Sequence, residues 1–282
     1  MTIPSDALWL VTGCSVGLGR SIARQALRCG HRVIATARDP ATLEELRAEA
    51  PERVRAIALD VTDPGAIAAA IAAADAWGGV DVVVNNAGYG YLAAIEEGTD
   101  AGIRAVFETN FFGAAALIRA ATAGLRERGR GAIVNVSSIA GFVGGAGSGY
   151  YAATKFALEG LSDALNDELR PYGIAVLSVQ PGPIRTEFAG RSIAFAEPLP
   201  AYAETAARRH HWIREMNGRQ SGDPDRIAAL IVAAILDPAP PRHLFIGNMS
   251  MELATRRADA IRDTVESWRI RSSGTDFPTQ DS

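Results

Sequence analysis

The sequence predicts an α/β protein, a single domain built on a doubly wound parallel sheet. Two observations predict this fold. Short, continuously apolar segments alternate with longer helical segments from the start of the chain to about residue 250, and no linker rich in glycine, serine or proline interrupts them. Strands covered on both faces read as continuously apolar runs, and helices form the crossovers between parallel strands. We therefore expect about seven strands with helices on both faces.

Each strand is predicted where an apolar run is bounded by polar or glycine-rich residues. A glycine cluster and a helix over Gly19–Arg28 follow the first run, and a charged, exposed helix separates the second run from the third. Because crossovers between parallel strands are right-handed, these segments form a Rossmann fold. The predicted strands are Leu8–Thr12, Arg32–Thr36, Val54–Leu59, Val80–Asn85, Ala132–Ser137, Ile174–Gln180 and His243–Ile246.

Two regions depart from this alternation. Residues 185–222 contain no predicted strand and carry aromatic side chains among prolines and charges, which is typical of a substrate loop above a rigid sheet. Residues 251–271 form a predicted C-terminal helical extension, in which Met251–Arg269 is amphipathic. Residues 272–282 are polar, and we expect a disordered tail. The domain itself is predicted over residues 1–250.

Composition and charge argue against several classes of function. A net charge of −4 and an isoelectric point near 5.7 give no electrostatic reason to expect nucleic acid or an anionic membrane as partner. No window of about 18 apolar residues predicts a membrane span, and residues 1–6 lack the basic and apolar segments of a signal peptide. Two cysteines and four histidines show no metal-ligand spacing. We expect a cytoplasmic protein without a metal.

A glycine-rich turn follows the first strand, with the spacing G-x-x-x-G-x-G. Gly13 permits a tight turn, Gly17 lets the backbone approach a pyrophosphate, and Gly19 lets the next helix pack close to the strand. The helix N-terminus offers free N–H groups and a positive dipole end to phosphates. A purely structural connection is the alternative interpretation. The position of the turn after the first apolar strand favours a nucleotide site.

The end of the second strand bears on which dinucleotide binds. An NAD site places a carboxylate there for the ribose 2′-hydroxyl, whereas an NADP site has a cation. The strand-end position is Ala37, followed by Arg38, and the first acid is Asp39. Arg38 would pair with a 2′-phosphate and stack on adenine. The sequence therefore favours NADP(H); NAD(H) stays the alternative, because a shift of one residue would bring Asp39 into that position.

A phenol and an ammonium lie on one face of a predicted helix, because Tyr151 and Lys155 are four residues apart. Lys155 is the only lysine among the 28 lysines and arginines of the chain. A lone lysine either survives a coding bias toward arginine or stands where a planar guanidinium cannot replace a compact ammonium. Polar segments at the ends of two strands, Asn85–Gly88 and Asn135–Ser138, favour the second interpretation, since ligands bind at the carboxyl ends of parallel strands.

The order of these motifs resembles the short-chain dehydrogenase/reductase family over about residues 8–250. The segments Ala35–Asp39 and Asn85–Gly90 resemble in particular the branch of hydroxysteroid and retinol dehydrogenases. No single motif is specific, whereas seven in the expected order are. The matching segments are Thr12–Gly19 (T-G-x-x-x-G-x-G), Leu59–Val61 (L-D-V), Asn85–Gly88 (N-N-A-G), Thr109–Phe111 around an asparagine, Ser137–Gly141 (S-S-x-A-G), Tyr151–Lys155 (Y-x-x-x-K) and Pro181–Thr186 (P-G-P-x-x-T).

The resemblance implies both a catalytic tetrad and a dinucleotide site. Ser138 rather than Ser137 is implied by its offset from the tyrosine, and neighbours on a strand face opposite sides. The implied catalytic residues are Asn110, Ser138, Tyr151 and Lys155. The implied cofactor-binding residues are Gly13, Ser15, Val16, Gly17, Leu18, Gly19, Arg38, Asp60, Val61, Asn86, Ala87, Gly88, Tyr151, Lys155, Pro181, Gly182, Ile184 and Thr186.

The implied reaction interconverts a secondary alcohol and a ketone (or aldehyde) by hydride transfer. The pKa of an unperturbed tyrosine is about 10, so Tyr151 alone is a poor base near neutral pH. The Lys155 ammonium and the positive nicotinamide of the oxidised cofactor would stabilise the phenolate and lower this pKa. Tyr151 would then be general acid and base, and Ser138 would hydrogen-bond the substrate oxygen. Asn110 would connect Lys155 to solvent through its backbone and a water.

Substrate and assembly are less constrained by the sequence. Phe142, Val143 and the aromatic residues of the substrate loop favour a bulky hydrophobic substrate; packing of the loop onto the sheet is the alternative explanation for each of them. A nucleotide-sensing protein without catalysis, and an epimerase or dehydratase that retains its cofactor, stay open as other functions. The leucines at positions 158, 161, 165 and 169 form an apolar stripe, which indicates either packing on the sheet or the interface of a homodimer or homotetramer.

Overall fold

The strands of this protein form one large parallel sheet and one small parallel pair. The computed structural model describes residues 3–277. Its strands are β1 (Leu8–Val11), β2 (Arg32–Ala37), β3 (Val54–Ala58), β4 (Val82–Asn85), β5 (Gly90–Leu92), β6 (Gly131–Val136), β7 (Ile174–Pro181), β8 (Ile193–Phe195) and β9 (His243–Ile246). Seven of them lie in the order β3-β2-β1-β4-β6-β7-β9, and β5 pairs with β8.

Helices cover both faces of the large sheet. The α-helices are α1 (Gly17–Arg28), α2 (Glu44–Glu49), α3 (Pro64–Asp75), α4 (Asp100–Phe107), α5 (Ala114–Arg128), α6 (Gly149–Leu169), α7 (Phe188–Arg191), α8 (Arg208–Glu215), α9 (Pro224–Leu236) and α10 (Asn248–Ser273). Apolar side chains of α1 and α9 form the core on one face, and those of α3, α5 and α6 form the core on the other. Asp63 and Asp223 cap α3 and α9, each followed by a proline at the first helical position, which is why these helices begin there.

The predicted fold class is confirmed. All seven predicted strands are present in one parallel sheet, and no end differs from its predicted position by more than two residues. Thr12 and Ser137, assigned to strands from the sequence, instead begin the loops after β1 and β6. Within residues 3–277, no helix combines the length and the apolar character needed to cross a membrane.

The expectation that residues 185–222 contain no strand is wrong. Ile193–Phe195 forms β8, which pairs in parallel with β5, and Gly90 is opposite Ile193. Three residues are too few to show a strand periodicity, and the partner lies about a hundred residues earlier in the chain. The pairing therefore left no local signal in the sequence.

The C-terminal region and the leucine stripe have clear places. α10 begins at Asn248 and continues to Ser273, so two residues assigned to the tail are helical; residues 278–282 of that tail lie outside the described residues. On α6, Leu158, Leu165 and Leu169 are buried against the sheet, and Leu161 is half-buried. The stripe thus packs within the chain.

His31 is a buried polar side chain that directly precedes β2, at the edge of the large sheet where the parallel strands begin. Its ring lies 5.6 Å from the ring of Trp9, measured between centroids. Neither of its ring nitrogens, nor Trp9 Nε1, has a hydrogen-bond partner among residues 3–277. Burial lowers the pKa of His31, and the nearby carboxylates of Asp6 and Asp81 oppose this only in part. The folded protein therefore holds His31 as the neutral form.

We predict that His31→Phe reduces the loss of stability on acidification. As the pH falls through about 6.5 the unfolded chain takes up a proton on this histidine, whereas the folded chain takes it up only at lower pH, so stability falls. Urea denaturation at about pH 7.5 and about pH 5.5 would show a smaller drop in the free energy of unfolding for the variant. The exposed His211, paired with Glu215, provides the control His211→Phe. Equal drops for wild type and His31→Phe would contradict the prediction.

Candidate active site

The site residues predicted from the sequence converge at the carboxyl edge of the large sheet. The strand order reverses between β1 and β4, which opens a crevice there. β4 and β6 are in register, and Asn85 Nδ2 donates to Asn135 Oδ1 at 2.8 Å. Asn135 Nδ2 in turn donates to Ser162 Oγ of α6 at 2.8 Å. This buried chain of amides ties the strand ends to the helix that carries Tyr151 and Lys155.

The glycine-rich turn after β1 leads directly into α1. Gly13 and Gly17 have φ of +72° and +65°, a region that glycine adopts without strain. α1 begins at Gly17, its first turn contains no acidic residue, and the preceding Val16 has no side-chain acceptor to cap it. The first N–H groups of α1 and the positive end of its dipole are therefore available to an anion. This geometry fits the pyrophosphate of a dinucleotide. The predicted residues of this segment are Gly13, Ser15, Val16, Gly17, Leu18 and Gly19.

The loop after β4 holds this turn in place. Asn86 Nδ2 donates to the carbonyls of Thr12 and Gly13 at 2.8 and 3.2 Å. Thr12 Oγ1 accepts the N–H groups of Asn86 and Ala87, each at 2.9 Å. A Cβ added at Gly19 would lie 2.4 Å from Asn86 Nδ2. The side chain of Asn86 thus supports the turn, and a glycine is required where α1 passes it.

The segment after β7 reaches the same turn from the other side. Its predicted residues Pro181, Gly182, Ile184 and Thr186 follow one another from the last residue of β7. Ile184 forms a parallel bridge with Gly222, which fixes the segment to the end of the substrate loop. A Cβ added at Gly17 would lie 3.2 Å from Thr186 Cβ. The two halves of the predicted cofactor site are therefore in contact.

The end of β2 distinguishes Arg38 from Asp39. β2 ends at Ala37, and Arg38 is exposed. Asp39 Oδ1 accepts the N–H of Ala41 at 3.0 Å and caps the helical turn that follows. The Asp39 carboxylate is thereby engaged in local structure, whereas the Arg38 side chain is exposed at the strand end.

Asp60 and Val61 lie beside Arg38 after β3. Asp60 Oδ1 accepts the N–H and the hydroxyl of Thr62 at 2.9 and 2.8 Å, and these bonds lower the pKa of Asp60, with a smaller contribution from Arg38. Val61 is buried, and a Cβ added at Gly113 would lie 2.7 Å from its Cγ2. A buried apolar side chain and a carboxylate fixed by Thr62 thus follow each other directly after β3.

Lys155 lies inside the protein at the end of β6. Its Nζ donates to the carbonyl of Val136 at 2.8 Å, and only 5% of the residue is exposed. Burial lowers the pKa of Lys155 to about 8. Lys155 Nζ lies 5.9 Å from the centroid of the Tyr151 ring, one turn earlier on α6. A cation and a phenol are therefore adjacent at the site, as the sequence predicts.

Burial has the largest effect on the pKa of Tyr151 among the contributions of the protein's own residues. Burial raises it to about 12, and the neighbouring Ser138 hydroxyl opposes this only in part. The cause is desolvation, which disfavours the phenolate in an apolar environment. The buried position of Tyr151 therefore favours the neutral phenol.

Asn110 holds the loop after β4 against α6. It lies in a π-helical stretch, Glu108–Gly113, a form often found at functional sites. Asn110 Oδ1 accepts the N–H of Tyr89 at 3.0 Å, and its Nδ2 donates to the Tyr89 carbonyl at 2.8 Å and to Thr154 Oγ1 at 3.2 Å. A Cβ added at Gly88 would lie 3.0 Å from Asn110 Oδ1 and 3.8 Å from Lys155 Nζ. Because Gly88 has no side chain, Asn110 and Lys155 can both lie close to the backbone of this loop.

The two serines after β6 have different surroundings. Ser138 is half-buried beside Tyr151, and its Oγ accepts the N–H of Ala140 at 3.1 Å. Ser137 is buried and turned toward Gly141, where an added Cβ would lie 2.7 Å from its Oγ. Ser138 is therefore the serine that can reach a substrate next to Tyr151.

The substrate loop is attached to the rest of the molecule by polar contacts. Glu97 is buried, and its carboxylate accepts the N–H groups of Ala94 at 2.7 Å and Leu199 at 2.9 Å. His210 Nε2 lies 2.8 Å from the carbonyl of Gly147. Glu97 is not predictable from the sequence, because neither its type nor its spacing distinguishes it from the other acidic residues.

One aromatic side chain of the substrate loop lies next to Tyr151. Phe188 of the substrate loop lies 6.0 Å from Tyr151, and Phe142 lies 5.3 Å from Phe245, both measured between ring centroids. Phe195 packs against the ring of His210 instead of facing the tyrosine. Within residues 3–277, no group of three or more His, Cys, Asp or Glu side chains is arranged to hold a metal ion.

The family comparison covers the region that contains these residues. Residues 7–195 match the family model described as short chain dehydrogenase. The chain is 35% identical over 264 residues to "Oxidoreductase BOA17" of Botryotinia fuckeliana, covering 93% of this chain and 96% of the relative. It is 34% identical over 247 residues to human "Retinol dehydrogenase 8", covering 82% and 78% of the two chains.

Solved structures agree with this similarity. A short-chain dehydrogenase from Streptomyces avermitilis superposes with a TM-score of 0.92 at 43% identity, covering 97% of this chain and all of the other. A short chain dehydrogenase from Burkholderia cenocepacia in complex with NADP superposes with a TM-score of 0.74 at 26% identity, covering 95% of this chain and 98% of the other.

We predict that Gly19→Ala destabilises the protein. The added methyl group would meet Asn86 Nδ2 at 2.4 Å and the carbonyl oxygen of Gly13 at 2.5 Å, and the backbone must shift to relieve this overlap. We expect a loss of about 1–3 kcal/mol in the free energy of unfolding, measured by urea denaturation. Gly160→Ala on α6, where no atom lies within 4 Å of the added Cβ, is the control and should gain about 0.5–1 kcal/mol. Equal stability of Gly19→Ala and wild type would refute this account of the turn.

Proposed function

This chain belongs to the short-chain dehydrogenase family, as its sequence predicted, and we propose that it is an NAD(P)-dependent oxidoreductase that interconverts a secondary alcohol and a ketone (or aldehyde). The observation that carries the proposal is the pairing of Tyr151 with the buried Lys155 at the carboxyl edge of the sheet. A phenol next to a cation is suited to transfer one proton to or from a substrate oxygen. The uncapped N-terminus of α1 opens on the same edge and fits a dinucleotide.

The crevice offers groups for each part of the cofactor. The N–H groups around Gly17 would bind the pyrophosphate, Asp60 and Val61 the adenine, and Lys155 the hydroxyls of the nicotinamide ribose. By the family resemblance, Asn86 and Gly88 lie near the adenine ribose, and Ile184 and Thr186 near the carboxamide. When bound, the nicotinamide supplies hydride transfer at the carbon that carries the substrate oxygen.

NADP(H) is favoured over NAD(H). Arg38 is exposed at the end of β2 and can pair with a 2′-phosphate, whereas the Asp39 carboxylate caps the next turn. A relative of the same fold and family binds NADP. Val16 departs from those family members that place a basic or hydroxyl side chain in the turn, so the preference depends on Arg38.

The proton moves through Tyr151. Because burial raises its pKa to about 12, positive charge must stabilise the phenolate for Tyr151 to act as a base near neutral pH. The Lys155 ammonium supplies part of that charge, and the oxidised nicotinamide would add to it. In alcohol oxidation Tyr151 Oη accepts the proton of the substrate hydroxyl, and in carbonyl reduction it donates its own proton to the forming alkoxide. Ser138 hydrogen-bonds the substrate oxygen in both directions.

The substrate proposed here is bulky and hydrophobic. Phe188 places an apolar ring beside Tyr151, and Phe142, which pairs with Phe245, adds aromatic surface after β6. The similarity to a retinol dehydrogenase supports the same class of substrate. We further propose that the enzyme is a cytoplasmic homodimer or homotetramer.

We predict that Tyr151→Phe lowers turnover by about 10²- to 10⁴-fold, the typical contribution of a positioned acid or base. The measurement is the nicotinamide absorbance change with a panel of apolar ketones and alcohols, run with NADPH, NADH and their oxidised forms. Tyr150→Phe is the matched control, because the Tyr150 hydroxyl donates to the carbonyl of Ile95 at 2.5 Å, and it should retain most of the activity.

Other results of this panel would redirect the assignment. Wild-type turnover in Tyr151→Phe would remove Tyr151 from the mechanism. Dinucleotide binding without an absorbance change on any substrate would favour a sensing protein, and a changed substrate without net oxidation would favour an epimerase or dehydratase.

Replacement of Arg38 tests the choice of cofactor. Arg38→Ala should raise the Kd for NADPH about tenfold to hundredfold, corresponding to about 1.4–2.8 kcal/mol, and leave the Kd for NADH unchanged. Fluorescence titration of the reduced cofactors measures both. Arg47→Ala, which removes an exposed arginine that pairs with Glu44, is the control for a general loss of positive charge. Unchanged NADPH affinity in Arg38→Ala would leave the NADP preference without support.

A further inference from the structure

A polar cluster lies one helical turn beyond the active-site lysine, and the chemistry proposed above makes no use of it. Glu159 Oε2 on α6 accepts hydrogen bonds from Ser178 Oγ at 2.8 Å and Gln180 Nε2 at 2.7 Å, both on β7. His243 of β9 places Nδ1 3.4 Å from the same oxygen and Nε2 2.8 Å from Asp163 Oδ1. The Glu159 cluster, as we call it, consists of Glu159, Asp163, Ser178, Gln180 and His243.

Glu159 is held as an anion although its side chain is only 12% exposed. Burial alone would raise its pKa, but polar contacts with His243, Ser137, Ser178 and Gln180 outweigh burial and leave the pKa below its ordinary value. Ser137 contributes by proximity: among the residues that the structure describes, neither Ser137 Oγ nor Glu159 Oε1 has a well-oriented partner. A carboxylate with several donors on one oxygen is a fixed negative charge.

The helix brings this charge next to Lys155. Tyr151, Lys155 and Glu159 occupy successive turns on one face of α6, since they are four residues apart. Lys155 is buried, which disfavours its ammonium form, and the charge of Glu159 opposes that effect. The ammonium therefore has a phenol one turn before it and a carboxylate one turn after it.

We propose that Glu159 is a positioning residue that keeps Lys155 protonated within the buried site, and that His243 adjusts the strength of this effect. The proposal rests on the proposed function for its catalytic meaning, because Lys155 acts there through its charge. The charge state of Lys155 itself can be tested without a substrate.

His243 is the titratable link between the cluster and solvent. Its hydrogen bond with Glu159 raises its pKa, burial opposes this, and Asp163 adds to the rise. A protonated His243 partly neutralises the charge of Glu159 and so reduces the electrostatic stabilisation of the Lys155 ammonium. A neutral His243 leaves the full negative charge of Glu159. The groups that face His243 from the packed elements are Glu159 and Asp163 of α6 and Gln180 of β7.

A direct test uses the fact that Lys155 is the only lysine of the chain. Protein grown on lysine labelled with ¹³C at Cε gives one lysine resonance, and its pH titration reports the ammonium of Lys155. In Glu159→Gln, we expect the titration midpoint to fall by about one pH unit from the wild-type value near 8, since the opposing charge is lost.

Two further variants make the result decisive. Asp167→Asn removes an exposed carboxylate of the same helix that pairs with Arg242 at 2.7 Å, and it should leave the midpoint unchanged. His243→Arg places a permanent positive charge beside Glu159 at a partly exposed position, and it should move the midpoint in the same direction as Glu159→Gln by a smaller amount. His243→Arg decides the question if Glu159→Gln fails to fold. A midpoint that stays or rises in the folded variants would overturn the proposal.

The catalytic consequence appears in the pH profile. For an alcohol that the wild type oxidises, the alkaline fall of kcat/KM should move to lower pH in Glu159→Gln, because the ammonium is lost earlier as the pH rises; a merely structural defect would lower the rate without moving the profile. Shifted lysine titrations in an enzyme that turns over no member of the panel would overturn the proposed function alone. Turnover with unshifted titrations would overturn the role of Glu159 alone.

Discussion

Lys155 is a charged side chain buried inside the protein, and its Nζ donates a hydrogen bond to the carbonyl of Val136 at the end of β6. An ammonium moved out of water is costly unless hydrogen bonds and opposite charge compensate it. The fold provides a hydrogen bond through the Val136 carbonyl at the end of β6. It provides the opposite charge through Glu159, which lies one turn after Lys155 on α6, where this helix packs on β7. The rest of the site is arranged around this group: Gly88 leaves room for it, and Asn110 holds the loop that covers it.

Much of the fold and part of the site could be predicted from the sequence. Mostly apolar runs identify the seven strands of the large sheet because burial on both faces disfavours polar side chains, and strand ends carry the ligand-binding loops. What escaped prediction depends on distant partners. β8 becomes a strand only by pairing with β5, and Glu97 matters only because Leu199 lies against it. The periodicity and spacing of neighbouring residues do not predict contacts between residues that are far apart in the sequence.

The site chemistry shows the same limit. The spacing of Tyr151 and Lys155 predicts that they share a helix face, and they do. It cannot predict the sign of a pKa shift, since that depends on how deeply the phenol is buried. Glu159 continues the same four-residue spacing, so the sequence contained a signal for it; only the donors on β7 and β9 show that it is a fixed charge rather than an exposed acid.

The attachments of the substrate loop include the three-residue strand β8, one hydrogen bond from Leu199 to Glu97 and the contact of His210 with Gly147. The two large apolar cores lie instead on the faces of the large sheet. Few buried apolar contacts and many individual polar ones give a segment a low free energy of local opening. We therefore expect the loop to open locally at a lower free energy than the sheet on which Lys155 is held. The substrate loop would then be able to change its conformation during a catalytic cycle, or its sequence during evolution, while the residues around Lys155 keep their positions.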